Sequence, residues 1–176
     1  MTSSPAEALL LIDFQRDFLE DDGRMPVARG HVASVVEAAR AALAEARARG
    51  ALVVAIGNEY PRSAWFMNLL RRHAAVAGTP GTAWEPRLGL DGVTYLPKWA
   101  QSAFCNPSLE PLLRSHAIRR LTLAGLFARA CVSATAREAM ARNFEVRVLS
   151  AAVACASDRS RSVALERLRR RGAQLV

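Results

Sequence analysis

Short aliphatic runs alternate along the chain with longer stretches of helical period. The runs are Ala8–Phe14, Ala51–Ile56, Val93–Leu96, Leu121–Leu126, Val146–Leu149 and Ala173–Val176. Two of them are continuously apolar, as suits strands buried on both faces of a parallel sheet. Between the runs the 3.6-residue period predicts a helix from about His31 to Arg49, stopped by Gly50, and another from about Ser108 to His116. A third starts near Cys131, and a fourth spans about Ser160 to Arg171, stopped by Gly172. This order of strand and helix predicts an α/β fold, a three-layer α/β/α sandwich with right-handed crossovers. The stretch from Glu59 to Gly92 breaks the alternation. It is rich in Pro, Gly, Trp and Arg, carries a turn at Gly78–Gly81, and reads as a covering segment at about 59–92 within one domain spanning 1–176.

In 176 residues, 51% of them hydrophobic, there is material for one sizeable core and too little for two ordinary domains. That apolar content excludes a disordered chain. No apolar run approaches the roughly 20 residues of a membrane helix, so no membrane partner is expected. Met1 to Glu7 lack the charged start and long apolar stretch of a secretory signal. Cys105, Cys131 and Cys155 are odd in number and lack CxxC spacing, which argues against disulfides and a zinc knuckle. Together these features predict reduced thiols in a cytoplasmic protein. The formal charge of +8 makes an anionic partner worth weighing. Arg167 and Arg169–Arg171, however, suit the C-terminal dipole of the last helix and solvent, and nucleic acid is not the expected partner.

In open parallel sheets, ligands bind beyond the carboxyl ends of the strands. The residues to watch are therefore Asp13, Asn58 to Tyr60, Lys98, Phe127 to Cys131 and Ser150. Asp13 closes the first run, where it serves as a turn cap or as a carboxylate whose pKa desolvation raises. Lys98 is the only Lys among 24 basic side chains, either a residual codon or a position that needs a compact ammonium. Cys131 stands where a helical pattern begins, either a small core residue or a thiol favoured as thiolate by the helix end. If the three converge, they supply a base, a cation and a nucleophile for acyl transfer. No histidine follows a strand end, and no HxH, DxH or CxxC spacing offers a metal site.

Four separated stretches carry a resemblance: Leu11-Ile-Asp-Phe-Gln-Arg-Asp-Phe18, Ala77-Gly-Thr-Pro-Gly81, Lys98 with Ser102-Ala-Phe104, and Gly125 through Cys131-Val-Ser-Ala-Thr135. In this order they resemble the isochorismatase-like cysteine hydrolases. The resemblance implies a six-stranded, mostly parallel sheet of Rossmann-like order and a catalytic triad falling on Asp13, Lys98 and Cys131. It also implies a cis peptide joining Leu126 to Phe127, and an oxyanion hole made by the N–H groups of Phe127 and Cys131. Nicotinamidases of the family bind metal through Asp-x-His after the second strand. The matching positions here are Asn58 and Tyr60, so neither a metal nor a cofactor is expected. Arg129 replaces a common Asp two residues before the nucleophile, and either binds an acidic substrate group or faces solvent.

The expected activity is hydrolysis of a small, non-peptide, amide-like C–N bond through a thioester. Phe18, Tyr60, Trp65, Trp99 and Phe104 are the candidate walls of an apolar substrate slot, or core residues. Within the family the alternative is vinyl ether hydrolysis of the isochorismatase type. Outside enzymology it is a binding protein on the same scaffold. The expected partners are a small-molecule substrate and further copies of the chain, a dimer or larger.

Overall fold

The structure, a computed structural model, describes residues 6–176. Six strands form one sheet: β1 (Glu7–Ile12), β2 (Leu52–Asn58), β3 (Thr94–Lys98), β4 (Arg120–Leu126), β5 (Glu145–Ala154) and β6 (Gln174–Leu175). Their spatial order is β3-β2-β1-β4-β5-β6, and every neighbouring pair is parallel. The sheet therefore reverses direction of growth at β1, between β2 and β4. In open parallel sheets such a reversal is where ligands bind, outside the carboxyl ends of the strands.

Because β1 is central, both of its faces are covered and its aliphatic run divides by parity. Ala8, Leu10 and Ile12 enter one core with Leu109 and Leu113 of α4 (Leu109–Ser115), Ala136 and Ala139 of α5 (Ser133–Ala141), and Leu165 and Leu168 of α6 (Asp158–Arg170). Leu9 and Leu11 enter the other with Phe18 of α1 (Arg16–Leu19) and Val35, Val36, Ala39, Leu43 and Ala46 of α2 (Arg29–Ala48). These two cores are the interfaces of the expected three-layer sandwich. Burial of each large aliphatic side chain contributes about 1.5–3 kcal/mol. No described helix is long and apolar enough to cross a membrane.

Three strands run on past the carboxyl ends of their apolar runs, β2 by Gly57 and Asn58. β3 continues through Pro97 to Lys98, because pairing with Gly57 and Asn58 of β2 extends the ladder past the hydrophobic residues. β5 runs for ten residues, and its register against β4 shifts between Leu123 and Gly125, where a bulge absorbs extra residues. Ser150 thus lies inside β5 and not beyond it. Gly125 allows β4 to approach β1 closely, since a Cβ there would stand 2.4 Å from the Ile12 carbonyl oxygen.

The 59–92 stretch holds one further helix, α3 (Trp65–Leu70), and two single turns, Pro80–Thr82 and Pro86–Leu88. It is tied down at Tyr60, which bridges to Val76, and at Trp84, which bridges to Gln15. The Asp17 carboxylate accepts the N–H of Ala75 at 2.7 Å and that of Arg24 at 3.4 Å. Gly81 leaves room for that carboxylate, because a Cβ would fall 1.9 Å from Asp17 Oδ2.

Candidate active site

Asp13 follows β1 in left-handed backbone (φ 60°), a conformation that Asp tolerates better than most side chains. Its N–H donates to Ile56 O at 2.8 Å, which ties the turn to β2. Two strands away, Lys98 ends β3 beside Asn58 in register. Cys131 lies in a π-helical turn, Ala128–Val132, that leads into α5. The expected helix start thus falls at Ser133, with the thiol held in the wider turn before it. Phe127 O accepts the N–H groups of both Ala130 and Val132, which curls this loop around the end of β4, and the Leu126–Phe127 peptide is cis.

The three side chains meet and are buried. Lys98 Nζ stands 2.9 Å from Asp13 Oδ2 and 3.3 Å from Cys131 Sγ. It also donates to Asn58 Oδ1 at 2.6 Å and to Ala100 O at 3.2 Å. The Lys98 ammonium is ion-paired with the Asp13 carboxylate, which the Cys131 thiol also adjoins, and both carboxylate oxygens are buried.

All three groups hold protons more tightly than usual. Burial raises the Asp13 pKa, against the opposing pull of the Lys98 charge. Burial disfavours the Lys98 ammonium, but the charges of Asp13 and Cys131 outweigh this and raise its pKa. Burial, reinforced by Asp13, pushes the Cys131 thiol up to about 12. The resting sulfur is therefore a thiol, contrary to the thiolate that a helix start alone suggests. A proton passing from Cys131 to Asp13 moves negative charge from the carboxylate to sulfur within the cluster, and the ammonium adjoins both ends of that transfer.

Asn58 and Gln15 complete the arrangement. Gln15 Oε1 accepts the Asn58 N–H at 2.8 Å, while Gln15 Nε2 donates to Asn58 O and Thr82 O, both at 3.0 Å. This clamp fixes the residue that receives the Lys98 ammonium. Asn58 was visible in the sequence as a residue just past the second apolar run and as a departure from a metal motif, and Gln15 only as part of the Leu11–Phe18 stretch. A zinc ion would find at these positions an amide already engaged by Lys98 and a buried phenol, a donor set that does not fit it. Among the described residues, no group of three or more His, Cys, Asp or Glu could hold a metal.

The aromatic candidates separate. Phe18 meets Phe127 edge to face at 5.7 Å; Phe18 belongs to the core that contains Tyr60, and the partly buried Phe127 packs against both cores. Tyr60 is buried beside the cluster, and burial pushes its phenol up to about 12 against the pull of the Lys98 and Arg71 charges. Trp99, directly after Lys98, is 46% exposed. Phe104 lies in the opposite core, stacked on Phe144 with Arg142 over its ring. Trp65 is 71% exposed on α3. Arg129 is exposed and lines grooves along α6 with Arg167, which none of Asp13, Lys98 and Cys131 borders. Arg71, which carried no signal in so Arg-rich a chain, places its guanidinium 3.5 Å over the Tyr60 ring.

Known proteins share this architecture. The nicotinamidase of Bacillus subtilis superposes with a TM-score of 0.88 at 25% identity, covering 97% of this chain and 98% of that one. The pyrazinamidase of Pyrococcus horikoshii, solved in complex with zinc, gives 0.85 at 27% identity, covering 98% and 99%. In sequence, the maleamate amidohydrolase of Pseudomonas putida is 33% identical over 159 residues, 86% of this chain and 72% of its own. A probable inactive nicotinamidase of Arabidopsis thaliana is 29% identical over 161 residues, 85% and 81%. The Isochorismatase domain profile matches residues 7–176, so the chain belongs to the isochorismatase family, in the company of amidohydrolases acting on non-peptide C–N bonds.

Proposed function

We propose that this protein is a cysteine amidohydrolase that cleaves the C–N bond of a small amide through a thioester on Cys131. The observation that supports the reading is the single ammonium of Lys98, 2.9 Å from Asp13 and 3.3 Å from Cys131 in a buried site. Relatives that bear the name amidohydrolase support the reaction class.

Asp13 takes the Cys131 proton as sulfur attacks the amide carbon. An S–C bond forms, and the carbonyl electron pair moves onto oxygen. The N–H groups of Phe127 and Cys131 receive that oxyanion, a contribution of about 3–4 kcal/mol for a good donor. The pair returns, the C–N bond breaks, and the Asp13 proton leaves with the nitrogen as ammonia or an amine. Water then attacks the thioester and gives one proton to Asp13. As the S–C bond breaks, that proton returns to sulfur, and a carboxylic acid departs.

Cys131→Ala is expected to abolish ammonia release from a panel of small primary amides while leaving the thermal transition within a few degrees of the parent. Mass spectrometry of the quenched parent reaction should show an acyl adduct on Cys131. Undiminished turnover by Cys131→Ala overturns the mechanism.

A further inference from the structure

Six buried side-chain polar atoms among the described residues have no hydrogen-bond partner. Four of them gather at the proposed site: the two carboxylate oxygens of Asp13, which the Lys98 ammonium neutralises at 2.9 Å, and the hydroxyl of Tyr60 and Nε of Arg71, which have no partner of either kind. Buried polar groups are nearly always satisfied, so an unsatisfied set in one place is a record of what the place is built to receive. Here the set has two ends. Asp13 offers acceptors, while Tyr60 and Arg71 offer donors, one neutral and one cationic.

The backbone holds Arg71 in this position. It caps α3, its N–H donating to Met67 O and Asn68 O. The chain then passes through three left-handed residues, Arg72, His73 and Ala75. Ala75 is gripped by Asp17 through its N–H, and its carbonyl accepts the Tyr60 N–H at 2.9 Å. Tyr60 O in turn accepts the N–H of Ala77 at 2.9 Å. The Arg71 guanidinium is thus laid on the Tyr60 ring by main-chain bonds on both sides. No carboxylate of the described residues pairs with it, whereas Arg87, Arg120 and Arg142 each have one. Its charge reaches the cluster, acting on both Asp13 and Tyr60.

Resting on the amidohydrolase reading, we infer that the substrate is an amide that also carries a carboxylate, with the carboxylate held by Arg71 and the Tyr60 hydroxyl and the amide N–H groups turned toward Asp13. A guanidinium presents a planar pair of N–H groups that matches the two oxygens of a carboxylate, and stacking on Tyr60 fixes the plane of that fork. The phenol stays protonated at neutral pH and donates a further hydrogen bond. A neutral amide leaves the Tyr60 hydroxyl and Arg71 Nε buried and unpaired, and polar groups left so discriminate strongly against it. Arg71 is on this account a specificity-determining residue, and the acid and amide ends of the substrate are fixed in direction before sulfur attacks.

The test has a binding arm and a turnover arm. Calorimetry with maleate and succinate, dicarboxylates of the kind such a reaction releases, is run on the parent, Cys131→Ser, Arg71→Met, Arg71→Lys and Tyr60→Phe. Circular dichroism confirms that each variant is folded. Parent and Cys131→Ser should bind alike. Arg71→Met should bind about 30- to 100-fold more weakly, with Arg71→Lys between the two and Tyr60→Phe weakened about tenfold. In turnover, maleamate and succinamate should exceed their methyl esters in kcat/KM by a similar factor in the parent, and Arg71→Met should erase that preference, a ratio read within one protein whatever the variant's overall rate. Carboxylate binding that persists in Arg71→Met, absence of carboxylate binding to the parent, or equal use of acids and esters overturns the inference. Carboxylate binding through Arg71 with no hydrolysis of any amide upholds the carboxylate site and overturns the amidohydrolase reading together with the amide end of the inference.

Discussion

Replacing Lys98 by Met probes the electrostatics of the cluster most directly. The ammonium is buried, 2.9 Å from Asp13, and at an effective dielectric of about 20 that separation corresponds to a gross attraction of about 6 kcal/mol. Desolvation of both ions offsets most of this in the parent, so the intact pair adds little net stability. Removing one member is different, because the other stays buried without its counter-charge, and loss of about 3–5 kcal/mol is expected. Asn58 Oδ1 also loses its 2.6 Å donor.

The pH dependence fixes the cause. Asp13 already has a raised pKa in the folded protein, since burial outweighs Lys98, and without Lys98 the rise is greater. A carboxyl with a folded pKa above its unfolded value binds more protons when folded, so its ionisation costs stability as pH rises. The deficit of Lys98→Met relative to the parent should therefore widen above the parent's Asp13 pKa, by up to about 1.4 kcal/mol per pH unit. Urea unfolding followed by Trp fluorescence at about pH 5.5 and 8.5 measures this, and Asp13→Asn/Lys98→Met should recover about 2 kcal/mol or more of the loss at the higher pH. A deficit below about 1 kcal/mol, or one that is flat with pH, refutes the argument.

Burial that pushes the Cys131 thiol up to about 12 predicts that iodoacetamide at neutral pH labels the partly exposed Cys105 before Cys131, with Cys131 labelling still rising at pH 9; peptide mapping after brief exposure decides, and a Cys131 plateau below pH 8 contradicts it. Gly81→Ala brings a Cβ to 1.9 Å from Asp17 Oδ2, so the carboxylate must release the N–H of Ala75, and a loss of about 2–4 kcal/mol in urea unfolding is expected. Asn58→Leu removes the acceptor of the 2.6 Å bond from Lys98 and should lower kcat by about 10- to 100-fold with a smaller change in KM; an unchanged kcat shows that Lys98 is held without it.

Asp13, Lys98 and Cys131 were legible because a parallel sheet brings its strand ends to one edge, so residues 85 and 33 positions apart in sequence meet without any detail of the loops. The bulged part of β5 was not, since Ser150-Ala-Ala152 has the small polar and apolar mixture of a turn, and it is kept in the sheet by the shifted register at Gly125 and by the Ser150 N–H, which donates to Val176 O. Phe104 shows a different limit. Aromatic character marks a residue that wants burial but does not say on which face of the sheet. Here the Ser102 side chain accepts the Phe104 N–H, starting the turn that carries the ring into the core with Phe144.

Arg71 was hidden for a reason that applies to specificity residues in general. Asp13, Lys98 and Cys131 sit where regular structure ends, and regular structure announces itself by period. The position of Arg71 depends instead on three non-glycine residues in left-handed backbone and on one buried carboxylate, Asp17, reached from a distant helix. None of these has a sequence signature. If the chemistry is set by the sheet edge and the choice of substrate by the covering segment, exchanging residues 59–92 with a relative's segment should change which amides are cleaved while the reaction remains dependent on Cys131. That separation follows from the two kinds of support, ladder hydrogen bonds for Lys98 and Asn58, and loop-to-loop bonds through Tyr60, Ala75 and Ala77 for Arg71.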